Sequence, residues 1–154
     1  MSEPVTAAKC GALLDALRVK KPLVHFITNY VTVNDCANIT LAVGGAPVMS
    51  DQPDDAAEIC RLASALAIVS GPTRPKNIIS ASTAANEAGI PVVLDPVGAG
   101  ASSFRNRLLE KLLEEVKFAA VKGNISEIRF LASGTGKSMG VDASKDDIAL
   151  GSDS

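Results

Sequence analysis

The order strand, short loop, helix recurs about five times along the chain and predicts an α/β fold, three layers (α/β/α) built on a mainly parallel sheet. Three observations support this. The strand-like runs are short and built from Val, Ile, Leu and Ala, as buried parallel strands are. The stretches between them carry apolar residues at helical spacing. Pro and Gly stand where the helices must stop, at Pro22, Gly44-Gly45 and Gly89.

Taken in order, Thr6 to Val19 reads as a helix with Cys10, Leu13, Leu14 and Leu17 on one apolar face. Lys20 and Lys21 suit its end. Leu23 to Ile27 is a strand. A helix follows from about Val33 to Val43, with Cys36, Ile39, Thr40 and Val43 as its stripe. Ala46 to Met49 is the next strand, and Ser50-Asp51 leads out of it. Asp54 is placed to cap a helix over Asp55 to Leu66, with a strand at Ala67 to Val69. Pro75 opens a helix that reaches Ala88. Val92 to Leu94 is an apolar strand, Phe104 to Val116 a charged amphipathic helix, Ala119 to Val121 a strand, and Ile125 to Ala132 a helix. Beyond Leu131 the pattern fades. The expected organisation is one domain over residues 1–133 and an irregular tail over 134–154.

The stretch Pro91 to Gly100, PVVLDPVGAG, organises the functional reading. Asp95 stands at a strand's carboxyl end, where ligands bind in open α/β sheets. Pro96 ends the ladder. Gly98 and Gly100 allow a tight turn and leave amides open to an anion at a helix start. One carboxylate beside an anion cradle suits metal-assisted phosphate chemistry. The alternative is a plain strand-to-helix turn with a capping Asp. The dinucleotide fingerprint is incomplete, since Ser103 stands where Gly or Ala is needed.

The bulk properties exclude several classes. The 154 residues are 47% hydrophobic and only 3% aromatic, so the core is aliphatic. A net charge of −2 gives no field for nucleic acid, and stacking aromatics are scarce. No apolar run approaches a membrane span, and the start lacks the pattern of a signal peptide. The expected setting is cytoplasmic. Cys10, Cys36 and Cys60 are odd in number and widely spaced, which reads as reduced thiols.

In a parallel sheet the strand ends share one edge. That edge gathers Asn29, Met49 to Asp51, Gly71, Asp95 and Lys122 to Asn124, with Glu127 one turn into the next helix. Asp95 and Glu127 are candidates for one Mg²⁺ site, and Lys122 for a phosphate. Asn124 and Glu127 also fit a capping pair, and the two roles are compatible. Met49 reads as wall or core, and a strand-end Met suits a shaped apolar pocket. His25, flanked by Val24 and Phe26, reads as a satisfied core histidine rather than a base. Gly134 to Ser138 imitates the end of a P-loop. Leu131 stands where the motif needs glycine, and a helix rather than a strand precedes it.

Several blocks in order resemble the hydroxyethylthiazole kinase family of the ribokinase-like superfamily. They are Pro22 to Asn38 (PLVHFITNYVTVNDCAN), Gly44 to Ser50 (GGAPVMS), Ala85 to Ser102 (ANEAGIPVVLDPVGAGAS) and Ala119 to Ile128 (AAVKGNISEI). Lys137 to Ser144 resembles a further family segment. The resemblance implies a ribokinase-like fold whose C-terminal part is missing here. It also implies transfer of the ATP γ-phosphate to the alcohol of 4-methyl-5-(2-hydroxyethyl)thiazole, in thiamine salvage. Position by position, Met49 and Asn29 match thiazole-pocket residues, Lys122 an ATP-contacting cation, and Asp95 and Glu127 the acidic pair near Mg²⁺. Family members are trimers with the pocket at the subunit boundary. Their anion hole and expected base lie in a later half absent from these 154 residues, and none of the three cysteines aligns with that base. An inactive remnant that only binds the thiazole, or joins an intact kinase, is therefore the alternative.

Overall fold

The computed structural model describes residues 5–50, 52–71 and 74–133. In chain order its elements are α1 (Ala7–Lys20), β1 (Leu23–Ile27), α2 (Val33–Val43), β2 (Ala46–Met49), α3 (Pro53–Leu62), β3 (Ala65–Val69), α4 (Pro75–Glu87), β4 (Val92–Asp95), α5 (Ser103–Glu115), β5 (Ala120–Val121) and α6 (Ile125–Ser133). The strands form one parallel sheet in the order β2-β1-β3-β4-β5. The chain steps outward from β1 to β2, then returns across β1 to β3 and continues the other way. Right-handed crossovers therefore put α2 on one face and α3, α4 and α5 on the other. α3 packs closely on α4, and α1 touches α2, which gives the expected three layers. The reversal between β1 and β3 opens a crevice at the carboxyl edge.

Register explains where the core lies. His25, Leu66 and Val92 stand level across β1, β3 and β4, and Ile27, Ile68 and Leu94 form the next row. This face is buried. Ala56 and Cys60 of α3, Ile78, Ala81, Ala84 and Ala85 of α4, and Leu108, Leu109 and Leu112 of α5 cluster with it. Each large aliphatic side chain buried there stabilises the fold by about 1.5–3 kcal/mol. The alanines keep the covering helices close. The other face, with Val24, Phe26, Ala67, Val69 and Val93, is only half-buried.

Four local expectations are corrected. The apolar face foreseen on α1 is uncovered: Leu14 and Leu17 are half-buried, Leu13 is 68% exposed, and no residue of α1 is buried. The reason is its shallow seat, with Arg18 lying over Gly44 at the end of α2. Ile39 of α2 points to solvent, and the stripe turns instead on Cys36, Ala37, Thr40 and Val43. α3 ends at Leu62, and β3 already begins at Ala65. There the ladder outweighs helical spacing: Ser64 N–H reaches the Leu23 carbonyl and Leu66 N–H the Pro91 carbonyl. The cap of α3 is Gln52 rather than Asp54, because Pro53 occupies the first helical position and leaves Asp54 and Asp55 in the first turn.

His25 is fully buried, as expected of a core histidine, yet neither ring nitrogen has a hydrogen-bond partner among the described residues. Burial pushes its pKa below the ordinary imidazole value, and the Asp55 carboxylate opposes that shift. Burial likewise raises the Cys60 thiol, leaving it an inert core residue. No helix of the described residues is long and apolar enough to cross a membrane.

Candidate active site

Two cavities lie at the carboxyl edge, and both use the start of α2. Val33 lines one, and Thr32 and Cys36 line the other.

The first holds about 670 Å³ between the ends of β1 and β2 and the start of α4. Phe26, Met49 and Val33 give it apolar walls, and Asn29, Ser50, Arg74 and Asn77 supply polar groups. Asn29 is 7% exposed. Its Oδ1 accepts the N–H of Val31 at 2.9 Å and of Thr32 at 3.2 Å, so its side chain starts α2 as an Asx turn. Its amide face lies against Gly71. Apolar walls with few fixed polar groups suit a small, largely apolar ligand.

The second cavity, about 380 Å³, is lined by Asp95, Lys122, Gly123, Asn124 and Glu127. Asp95 ends β4. The N–H of Lys122 donates to the Leu94 carbonyl at 2.9 Å, continuing the ladder one step past Val121. That step sets the two side chains together, with Lys122 Nζ 2.5 Å from Asp95 Oδ2.

Glu127 is 3% exposed. Its Oε2 accepts the Asn124 N–H at 2.9 Å, while Asn124 Oδ1 accepts the Glu127 N–H at 3.0 Å. This is the reciprocal capping pair that the spacing foresaw. Its Oε1 accepts the N–H of Gly98 at 2.9 Å, across 29 residues of chain.

That bond corrects one expectation. The amides of the glycine turn are not open to a ligand. Gly98 donates to Glu127, Gly100 to Asn106 Oδ1 at 2.9 Å, and Val97, Ala99 and Ala101 to carbonyls within the turn. A buried carboxylate of the protein itself occupies the place foreseen for a ligand anion.

The residues foreseen for a metal are Asp95 and Glu127. Asp95 and Glu127 line the same cavity, and a carboxylate oxygen that takes one amide hydrogen keeps a lone pair. Two hard oxygen donors, completed by water and phosphate, suit Mg²⁺. Among the described residues no group of three or more His, Cys, Asp and Glu side chains is placed to hold a metal ion.

The structure thus brings Asp95, Glu127 and Lys122 into one cavity, and Met49 and Asn29 into the other. Asp51, Gly134 to Ser138 and the segment Lys137 to Ser144 lie outside the described residues. Sequence reasoning passed over Thr32, Cys36, Arg74 and Asn77 as cavity residues. The four-residue step from Thr32 to Cys36 places both on one helix face and was the available signal. Arg74 and Asn77 carried none, because Pro75 between them marked only a helix start.

The family model described as the hydroxyethylthiazole kinase family matches residues 14–152. The chain belongs to the hydroxyethylthiazole kinase family. It is 53% identical over 148 residues to a hydroxyethylthiazole kinase of Clostridium beijerinckii, covering 94% of this chain and 54% of that protein. It is 54% identical over 134 residues to one from Desulfovibrio desulfuricans, covering 85% of this chain and 47% of the relative. A solved hydroxyethylthiazole kinase structure from Pyrococcus horikoshii superposes with a TM-score of 0.76 at 40% identity, over 80% of this chain and 49% of that one. The chain spans about half the length of the curated relatives it matches.

Proposed function

We propose that the protein serves ATP-dependent phosphorylation of the hydroxyl of 4-methyl-5-(2-hydroxyethyl)thiazole. One observation supports this reading above the others: an apolar cavity and a charged cavity flank the start of α2 at the same sheet edge. Met49 and Asn29 would border the thiazole in the first. Lys122 would meet nucleotide phosphates in the second, with Asp95 and Glu127 toward Mg²⁺. The ion would neutralise charge on the transferring phosphoryl group. The alcohol oxygen forms the new bond to the γ-phosphorus, the bond to the β,γ-bridging oxygen breaks with its electron pair leaving on ADP, and the alcohol proton passes to solvent. This chain's own part is placement. Asp95 ends β4, Lys122 directly follows the neighbouring β5, and Glu127 fixes the turns beyond them. On the family resemblance alone, the same reading takes the working protein as a cytoplasmic homotrimer.

A second reading is binding of the thiazole without turnover, which the apolar cavity alone could support. Phosphorus NMR of the purified chain with ATP, Mg²⁺ and the thiazole alcohol decides between them. A new phosphomonoester that Asp95→Asn abolishes supports the kinase. Thiazole binding with no phosphomonoester supports the second reading.

A further inference from the structure

The charged cavity contains its own counter-ion. Lys122 Nζ stands 2.5 Å from Asp95 Oδ2, yet the two side chains differ sharply in surroundings. Asp95 is 20% exposed and fixed at the end of β4, whereas Lys122 is 72% exposed. The carboxylate is held by the sheet, and the ammonium rides on a four-carbon stem with room to swing. A divalent cation at the Asp95 carboxylate would stand beside that ammonium. Two positive groups at that distance repel each other. With its ammonium side in solvent the pair is weakly held, so it yields.

We propose that Lys122 is a displaceable counter-ion of Asp95: a divalent cation arriving at the carboxylate turns the ammonium out toward the phosphates of a bound polyphosphate. This rests on the metal–nucleotide reading of the cavity and adds an order of events to it. Cation and anion binding become coupled through one side chain. An anion that draws Lys122 away strengthens cation binding by the same factor that the cation strengthens anion binding. A lysine suits this exchange better than an arginine, whose planar fork would grip the carboxylate through two bonds.

The test is Mn²⁺ binding to the full 154-residue chain, read from the loss of the free-ion EPR signal, for the wild type, Lys122→Met and Asp95→Asn. A second readout follows the Lys122 ε-methylene NMR shift during titration with Mg²⁺ alone, with far-UV circular dichroism confirming that each variant is folded. Lys122→Met is expected to bind Mn²⁺ about two- to fivefold more tightly, the size of one exposed ion pair. Mg²⁺ is expected to move the wild-type lysine signal to the position it already holds in Asp95→Asn. Mn²⁺ bound equally by the wild type and Lys122→Met, with the lysine signal unmoved by Mg²⁺, overturns the displacement and leaves the metal reading standing. Mn²⁺ binding that is absent, or unchanged in Asp95→Asn, overturns the metal reading and the displacement with it.

Discussion

Gly98 and Glu127 lie 29 residues apart and are joined by a 2.9 Å hydrogen bond from the glycine N–H to the buried carboxylate. The other carboxylate oxygen holds the Asn124 N–H. One side chain therefore fastens the turn after β4 to the turn after β5; Asp95 is the last residue of β4, and Lys122 the first residue after β5. Glu127→Gln tests this clamp. The amide keeps the shape but offers one acceptor oxygen and an NH₂ group, so one of the two backbone N–H groups faces a donor. The expected loss is about 1–3 kcal/mol of stability, seen as a lower urea midpoint with faster exchange of the Gly98 or Asn124 amide. An unchanged midpoint would show that the clamp contributes nothing.

Gly98 also sets the turn's path. Its φ is +72°, and a Cβ there would come within 1.9 Å of Arg105 Nη1. The guanidinium is the far end of a flexible chain and gives way, whereas the left-handed backbone does not. Gly98→Ala should cost about 1–2 kcal/mol from the backbone alone. Adding Arg105→Ala should restore little of it, and itself removes the Arg105 contact to the Val97 carbonyl. Melting curves of the single and double variants decide. Full recovery in the double variant would make the clash, rather than the backbone, the cause.

His25 predicts an acid-sensitive core. The unfolded imidazole titrates near 6.5, and burial lowers the folded value. Below pH 6.5 the unfolded chain therefore binds a proton that the native core resists. The neutral histidine's contribution is fully present above that pH and is lost as pH falls toward the lowered folded value. Asp55 is the charged group that limits the shift. His25→Leu should flatten the fall in urea midpoint between pH 6.5 and pH 5 relative to the wild type. Parallel pH profiles for the two proteins would refute a neutral buried imidazole.

Much of this was legible because short-range rules decided it. β1, α2 and β2 have the bounds that their apolar runs and stop residues indicate, and the Asn124–Glu127 pair follows from a three-residue spacing. The misreadings share one origin, which is contact across long stretches of chain. The Ala63 to Leu66 run suits a helix until pairing with Leu23 and Pro91 draws it into the sheet. Leu13 belongs to a helical stripe, but nothing in that stripe tells whether another layer covers it. The Gly98 amide looks open until a carboxylate from the far side of β5 reaches it.

Asn29 and Met49 separate folding from binding at the apolar cavity. Asn29 Oδ1 holds the turn before α2 through Val31 and Thr32, so Asn29→Ala should lose about 0.5–1.5 kcal/mol of stability, the net worth of a hydrogen bond. Asn29→Asp keeps the acceptor oxygen and should retain most of it. Met49 is half-buried. Met49→Ala removes apolar wall from the cavity and should weaken thiazole binding by about 1–2 kcal/mol, roughly five- to thirtyfold in Kd, with a smaller change in melting temperature. Calorimetric titration with the hydroxyethylthiazole, beside thermal melts of all three variants, checks both halves. If Met49→Ala binds the thiazole as the wild type does, the ligand does not sit against the end of β2, and the apolar cavity loses its assignment.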